Sequence, residues 1–296
     1  MMRKLCRYIF LLLSIASIVV EVSAQNVLDG QTFGNGLPGA YERQENFLKR
    51  FGGLDYPPLR EADVMYFRRI WQVMDLKQKI NHPFYYPIQE INDRKNLFDV
   101  IRNGVLGRGE GEPPTMMCFA PDDEEFTRSL SYEEIYDILW PEEEKKEYDD
   151  DGEVIGVTKK RFPIGSEVVT RYMLKEDWIW DRQRSERYVR IIGIAPLVLK
   201  EVENAPDQYL PLFWIYYDNA RFELAHADVF NLYNDAQRRT YDELFQKRYF
   251  SSYIVKESNV YDRPIVSYAR SGMDALAESE RIKEELFLLE HDLWHY

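Results

Sequence analysis

Residues 60–87 read READVMYFRRIWQVMDLKQKINHPFYYP, and the architecture expected for the first half of the chain rests on them. Val64, Phe67, Trp71 and Met74 recur at helical spacing, while Arg68, Gln72, Asp75 and Lys79 would share the opposite side. The spacing predicts an amphipathic helix of about five turns. Its ends carry matching signals: Pro57 and Pro58 precede it, Glu61 and Asp63 sit where the helix dipole favours acid, and Lys77 and Lys79 where it favours base. Asn81 and His82 stop it, because the residue ahead of Pro83 avoids the α region. Phe84, Tyr85 and Tyr86, between Pro83 and Pro87, are then expected as an extended aromatic plug.

Upstream, residues 1–24 read as a targeting segment. Arg3, Lys4 and Arg7 lead into an apolar run from Tyr8 to Val20 and the small-residue site Val22-Ser23-Ala24. The expectation is an exported chain that begins at Gln25. No later stretch approaches the roughly 20 apolar residues of a membrane span. Cys6 leaves with the leader, which strands Cys118 and excludes a disulfide framework. Losing Arg3, Lys4, Arg7 and Glu21 takes the formal charge from -13 to -15, a balance that repels phosphate backbones and argues against nucleic-acid binding. Residues 25–56 spread Gly30, Gly34, Gly36, Gly39, Gly52 and Gly53 among few aliphatics. They read either as an extended arm, docked through Phe33, Tyr41, Phe47 and Phe51, or as a disordered leader.

Downstream, the expectation is an α+β fold: a mainly helical half over residues 57–148, packed with a half over residues 149–296 built on antiparallel strands and closed by a helix. Within the first half, residues 96–103 predict a short helix capped by Gly104, and residues 115–119 a strand. Ser131 with Glu134 forms a capping box for a helix to about Trp140. The charge run over residues 142–153 lacks the twelfth-position glutamate of a calcium loop and reads as a solvated turn or the boundary between halves. In the second half, residues 166–174 predict a strand and residues 175–190 part helix and part strand. Residues 191–199 predict a bulged or edge strand, since they contain Gly193 and Pro196. Residues 212–217 and the alternating 221–225 make further strands, 235–245 a helix, 251–255 a strand and 275–294 the closing helix.

Four histidines, at 82, 226, 291 and 295, leave little for acid–base or metal chemistry. His291 and His295 in HDLWH share one helical face around Asp292, an echo of the zinc-protease pattern with a shorter acid and no clustered third ligand. That pair defines one alternative, an exported metal-dependent hydrolase; a periplasmic ligand carrier with one deep pocket is another. Cys118 lies in an apolar run as a buried, inert thiol. No phosphate-binding or nucleophile-elbow glycine motif is present, so no catalytic residue, metal or cofactor is expected.

The opening block, LKEDWIWDRQRSERYVRIIGIAPL at 174–197, RYFSSYIVKESNVYDR at 248–263 and EHDLWHY at 290–296 together resemble the GldN/PorN family of the type IX secretion system. The resemblance runs in the same order across nearly the whole exported portion. It implies a non-enzymatic periplasmic subunit that joins a GldK/PorK-type outer-membrane lipoprotein and neighbouring copies of itself in a ring beneath the outer membrane. It also implies coupling to the periplasmic arms of an inner-membrane motor. On this reading Phe33, Tyr41, Phe47, Phe51, Phe84, Tyr85 and Tyr86 are the expected partner contacts.

Overall fold

The computed structural model describes residues 56–293 apart from 57, 92–93, 108–112, 149–153, 201–207, 232–233 and 235–236, and, ahead of them, residues 32–33 and 37–38. The chain forms two compact units, Met1–Asn46 and Phe47–Tyr296. In the first, β1 (Thr32–Phe33) pairs antiparallel with β2 (Leu37–Pro38). The rest of the predicted arm lies outside the described residues.

The helix predicted over residues 60–87 is instead a strand, β3 (Val64–Asp75). Every residue from Ile70 to Met74 is buried, so apolar groups occupy both faces and the period of two disappears from the sequence. Of the residues whose spacing mimicked a helix, Trp71 and Met74 belong to that run, whereas Phe67 is exposed. β3 ends in a 3-10 turn, Lys79–Asn81, followed by the short helix α1 (His82–Tyr85) where an extended plug was expected. Pro83 suits the first turn, where its missing N–H costs nothing. Asn81, fully buried, secures the turn: its Nδ2 donates to the carbonyls of Asp75 (2.7 Å) and Ser251 (2.9 Å), and its Oδ1 accepts from the Ser251 N–H at 2.9 Å.

Helix α2 (Leu97–Leu106) starts where predicted, with Asn96 accepting from the Asp99 N–H, but runs past Gly104 to Gly107, whose φ of 91° ends it. Only Cys118–Phe119 of the next predicted strand form β4. Helix α3 (Tyr132–Leu139) carries the expected capping box, Ser131 and Glu134 bonding each other's backbone N–H. The acidic run read as a turn is strand β5 (Glu142–Tyr148), paired with β6 (Val154–Arg161) in a register that sets Glu142 opposite Arg161, Glu143 opposite Lys160 and Glu144 opposite Lys159.

Strands β7 (Val169–Asp181) and β8 (Glu186–Lys200) form a long hairpin, which replaces the helical portion expected within 175–190. Tyr172, Leu174, Glu176, Trp178 and Trp180 alternate onto one face of it. β8 is bulged as predicted, since Lys175 pairs with Gly193 while Glu176 pairs with Ile191. It lies inside the sheet, with β9 (Gln208–Pro211) and β10 (Trp214–Tyr216) on its far side. The strand expected at 221–225 is helix α4 (Tyr217–His226); Tyr217, Ala220 and Leu224 face the core at helical spacing. A small ribbon, β11 (Asp228–Val229) with β12 (Arg239–Thr240), leads to helix α5 (Tyr241–Gln246), shorter than the predicted 235–245. Strand β13 (Tyr253–Glu257) and helix α6 (Gly272–Leu293) fall where the sequence put them.

Among the described residues, seven strands make the main sheet in the order β13-β3-β7-β8-β10-β4, with β9 also on β8, every pair antiparallel. The class is α+β as expected, with the difference that β3 belongs to the sheet. One face carries two apolar cores. The larger joins Met74, Tyr172, Leu174 and Ile194 to α1, α2, α4 and α5; the smaller joins Ile70, Trp178 and Trp180 to Ile282 and Leu286 of α6. The other face carries Trp71, Ala195 and Trp214, covered by Phe126 from the loop after β4.

Candidate partner interface

Of the seven residues expected at a partner contact, the structure describes Phe33, Phe84, Tyr85 and Tyr86, and the last three differ in exposure. Phe33 lies in β1, while Tyr41, Phe47 and Phe51 lie outside the described residues. Phe84 is a core side chain: it is 1% exposed and packs its ring at 5.1 Å from Phe245, 5.9 Å from Tyr241 and 6.5 Å from Phe250. The helical turn of α1 aims it at α5, which removes it from the surface. Tyr85 is half-buried against the same core. Tyr86 is 45% exposed and stands edge-on to Tyr85 (5.0 Å) and His82 (5.6 Å). Beyond it Ile88 and Ile91 are exposed too, so the outward apolar surface follows α1 in the chain. Such a strip resembles the apolar, aromatic centre of a protein interface.

On the other flank of α1 is a cavity of about 580 Å3 between the Lys79–Asn81 turn, the β11–β12 ribbon and α5. Pro83, Val229 and Leu244 line it together with Ile80, Phe230 and Tyr249, and Lys79, Arg239 and Asn231 supply the polar groups. These residues come from two stretches far apart in sequence, 79–83 and 229–249, and no pattern within either announced the cavity.

A further apolar surface is the outer side of α6. Ile282 and Leu286 turn inward, whereas Met273, Leu276, Phe287 and Leu288 face solvent.

Chemistry-bearing side chains are sparse. Among the described residues, no group of three or more His, Cys, Asp or Glu is placed to hold a metal ion. His291 sits near the end of α6, 3.8 Å from Asp292 and close to the Phe287 ring; His295 lies outside the described residues. Cys118 is buried in the larger core, and burial pushes its thiol well above the ordinary range, so little thiolate forms near neutral pH. Among the described residues, no helix is long and apolar enough to cross a membrane.

The family model described as gliding motility associated protein GldN matches residues 59–295, a span that takes in every element from β3 through α6. No curated protein matches the chain.

Proposed function

We propose, from the premise that this chain belongs to the GldN family of gliding-motility proteins, that it is a structural subunit of the type IX secretion machine. Membership associates the chain with gliding motility and type IX secretion, and the family is one of structural components. In this reading the chain works in the periplasm, holds a GldK/PorK-type lipoprotein at the inner face of the outer membrane, contacts neighbouring copies in a ring, and receives the periplasmic arms of the inner-membrane motor. The family match over residues 59–295 carries the proposal. The outward Tyr86, Ile88 and Ile91 support it, since a chain that works by holding others needs apolar surface left uncovered when it is alone. We assign that strip to the lipoprotein.

The test is a tagged pull-down from gently solubilised envelopes, sized and identified by mass spectrometry. The expected product is a very large species containing the lipoprotein. A lone monomer, with the lipoprotein present unbound in the same extract, overturns the reading. Changing Tyr86, Ile88 and Ile91 together to serine should leave unfolding free energy within about 0.5 kcal/mol per site, because these side chains are exposed, yet release the lipoprotein. Retention of the lipoprotein with loss of the neighbouring copies would move the strip to the contact between subunits.

A further inference from the structure

We propose that the cavity flanking α1 is a docking site for an extended segment of a partner protein, one that carries an aspartate or glutamate beside a bulky apolar residue. The inference rests on the reading that the chain works by holding other proteins, and it adds the chemistry of one of the segments held.

The apolar half of the recognition comes from the lining. Pro83, Val229 and Leu244 make the inner surface, and the Phe230 ring stands under the Arg94 guanidinium at 5.6 Å. The volume, about 580 Å3, admits a large side chain with part of its backbone. At the mouth, Ile80 is 52% and Tyr249 49% exposed, so the apolar surface continues past the cavity. A ligand confined to the cavity would leave that rim wet; a chain segment that enters and runs on would cover it.

The charged half comes from Lys79 and Arg239. No lining residue is acidic, although the chain as a whole carries a formal charge of -13. Several cations elsewhere meet carboxylates: Arg69 with Asp177 at 2.7 Å, Arg161 with Glu142 at 2.8 Å, Arg248 with Glu176 at 2.9 Å. Among the described residues neither Lys79 nor Arg239 forms such a pair. The Arg239 guanidinium lies 5.2 Å from the Tyr249 ring centre and donates to the Gln237 side-chain oxygen at 3.3 Å. The acids around the site are engaged by other cations, Asp228 by Arg238 at 2.7 Å and Glu243 by Lys247 at 3.7 Å. A guanidinium and an ammonium at the edge of an apolar cavity complement one carboxylate held next to an apolar side chain. Two cations are too few for a lipid surface, which needs a cluster of about four or more.

The test places the photo-crosslinking residue p-benzoylphenylalanine at position 80 or 249 of the full chain, both exposed, in cells that make the machine, and maps the crosslinked peptide. The expected product is a segment of another protein with Asp or Glu within about three residues of a bulky apolar side chain. Lys79→Glu with Arg239→Glu should cut its yield at least tenfold. The mapped segment, made as a synthetic peptide, should bind the purified chain at least tenfold more tightly than its amide counterpart, with Asn or Gln in place of the acid. A segment lacking a carboxylate, a yield indifferent to the double charge reversal, or a crosslink into another copy of this chain overturns the proposal. Normal assembly with no crosslink at either position overturns it alone; absence of the large species from unaltered cells is the separate failure of the functional reading.

Discussion

Glu176 occupies a position in β7 where alternation calls for an apolar side chain, and it is 0% exposed. Its carboxylate is fully used: one oxygen accepts from Arg248 Nη1 at 2.9 Å, the other from Gln72 Nε2 at 3.2 Å and Trp178 Nε1 at 2.9 Å. Gln72 in turn accepts from the Ser252 hydroxyl, and the Arg248 guanidinium lies over the rings of Trp178 and Phe250. The group stands between the two apolar cores and ties β3, β7 and the connection after α5 to one point. Glu176→Ala would leave three donors without their acceptor. Arg248 is about a third exposed and can turn to water, which lowers the penalty below that of a fully buried pair. The expected loss is about 2–3 kcal/mol, read as a lower urea midpoint at unchanged slope. A loss under about 0.5 kcal/mol would mean that the neighbouring apolar packing alone fixes the junction.

At the scale of elements, the bulge in β8 and the loop after β4 depend on each other. A Cβ on Gly193 would lie 2.5 Å from Phe126 Cζ and 3.3 Å from Trp214. Phe126, at a φ of 60°, packs edge-on to Phe119 at 5.2 Å and Tyr216 at 5.6 Å and closes over the Lys175 side chain, whose ammonium bonds the Glu124 carbonyl. Gly193→Ala should therefore cost about 1–3 kcal/mol by pushing the ring off the sheet. In a chain already carrying Phe126→Leu the same change should cost less, and melting the four variants measures that coupling. Equal cost in both backgrounds would place the strain elsewhere. The bulge was legible because Gly193 has no side chain to hide its role. So was α3, from Ser131 and Glu134, because its signal is local. β3 was not, because burial on both faces removes the alternation that marks a strand. Nor was α4: Phe222 and Leu224 alternate with polar neighbours, and what keeps Arg221 buried is Asp242, 3.2 Å away but in α5. At the candidate interface the aromatic character of residues 84–86 was readable, whereas the inward turn of Phe84 was set by α5, and the cavity beside them needed two distant stretches to meet.

At the scale of the whole molecule, the larger core holds phenols from three elements: Tyr172 of β7, Tyr217 of α4 and Tyr241 of α5, each at most 1% exposed. Burial raises all three above the ordinary tyrosine value. Tyr217 also donates to Asp242 at 2.9 Å, so its ionisation would set two anions side by side; Tyr241 donates to the Lys95 carbonyl at 2.7 Å. A raised folded value means that the stabilisation is complete below the unfolded value near 10 and is lost as the pH climbs toward the folded values. In that window the unfolded chain releases protons that the folded chain keeps, at about 1.4 kcal/mol per pH unit for each phenol. Lys175 acts in the opposite sense, since burial lowers its ammonium and stability rises with pH up to about 10.5, but it is one group against the three phenols and the Cys118 thiol, which burial also raises. Folding stability of ordinary size, about 5–15 kcal/mol, should then fail within a few pH units above 10. Tyrosinate absorbance should rise in two steps, the later one from the buried three, which ionise only together with the loss of far-ultraviolet circular dichroism. If every phenol titrates near pH 10 while the dichroism persists, the three tyrosines do not share a closed core, and the packing of α4 and α5 onto the sheet is looser than described.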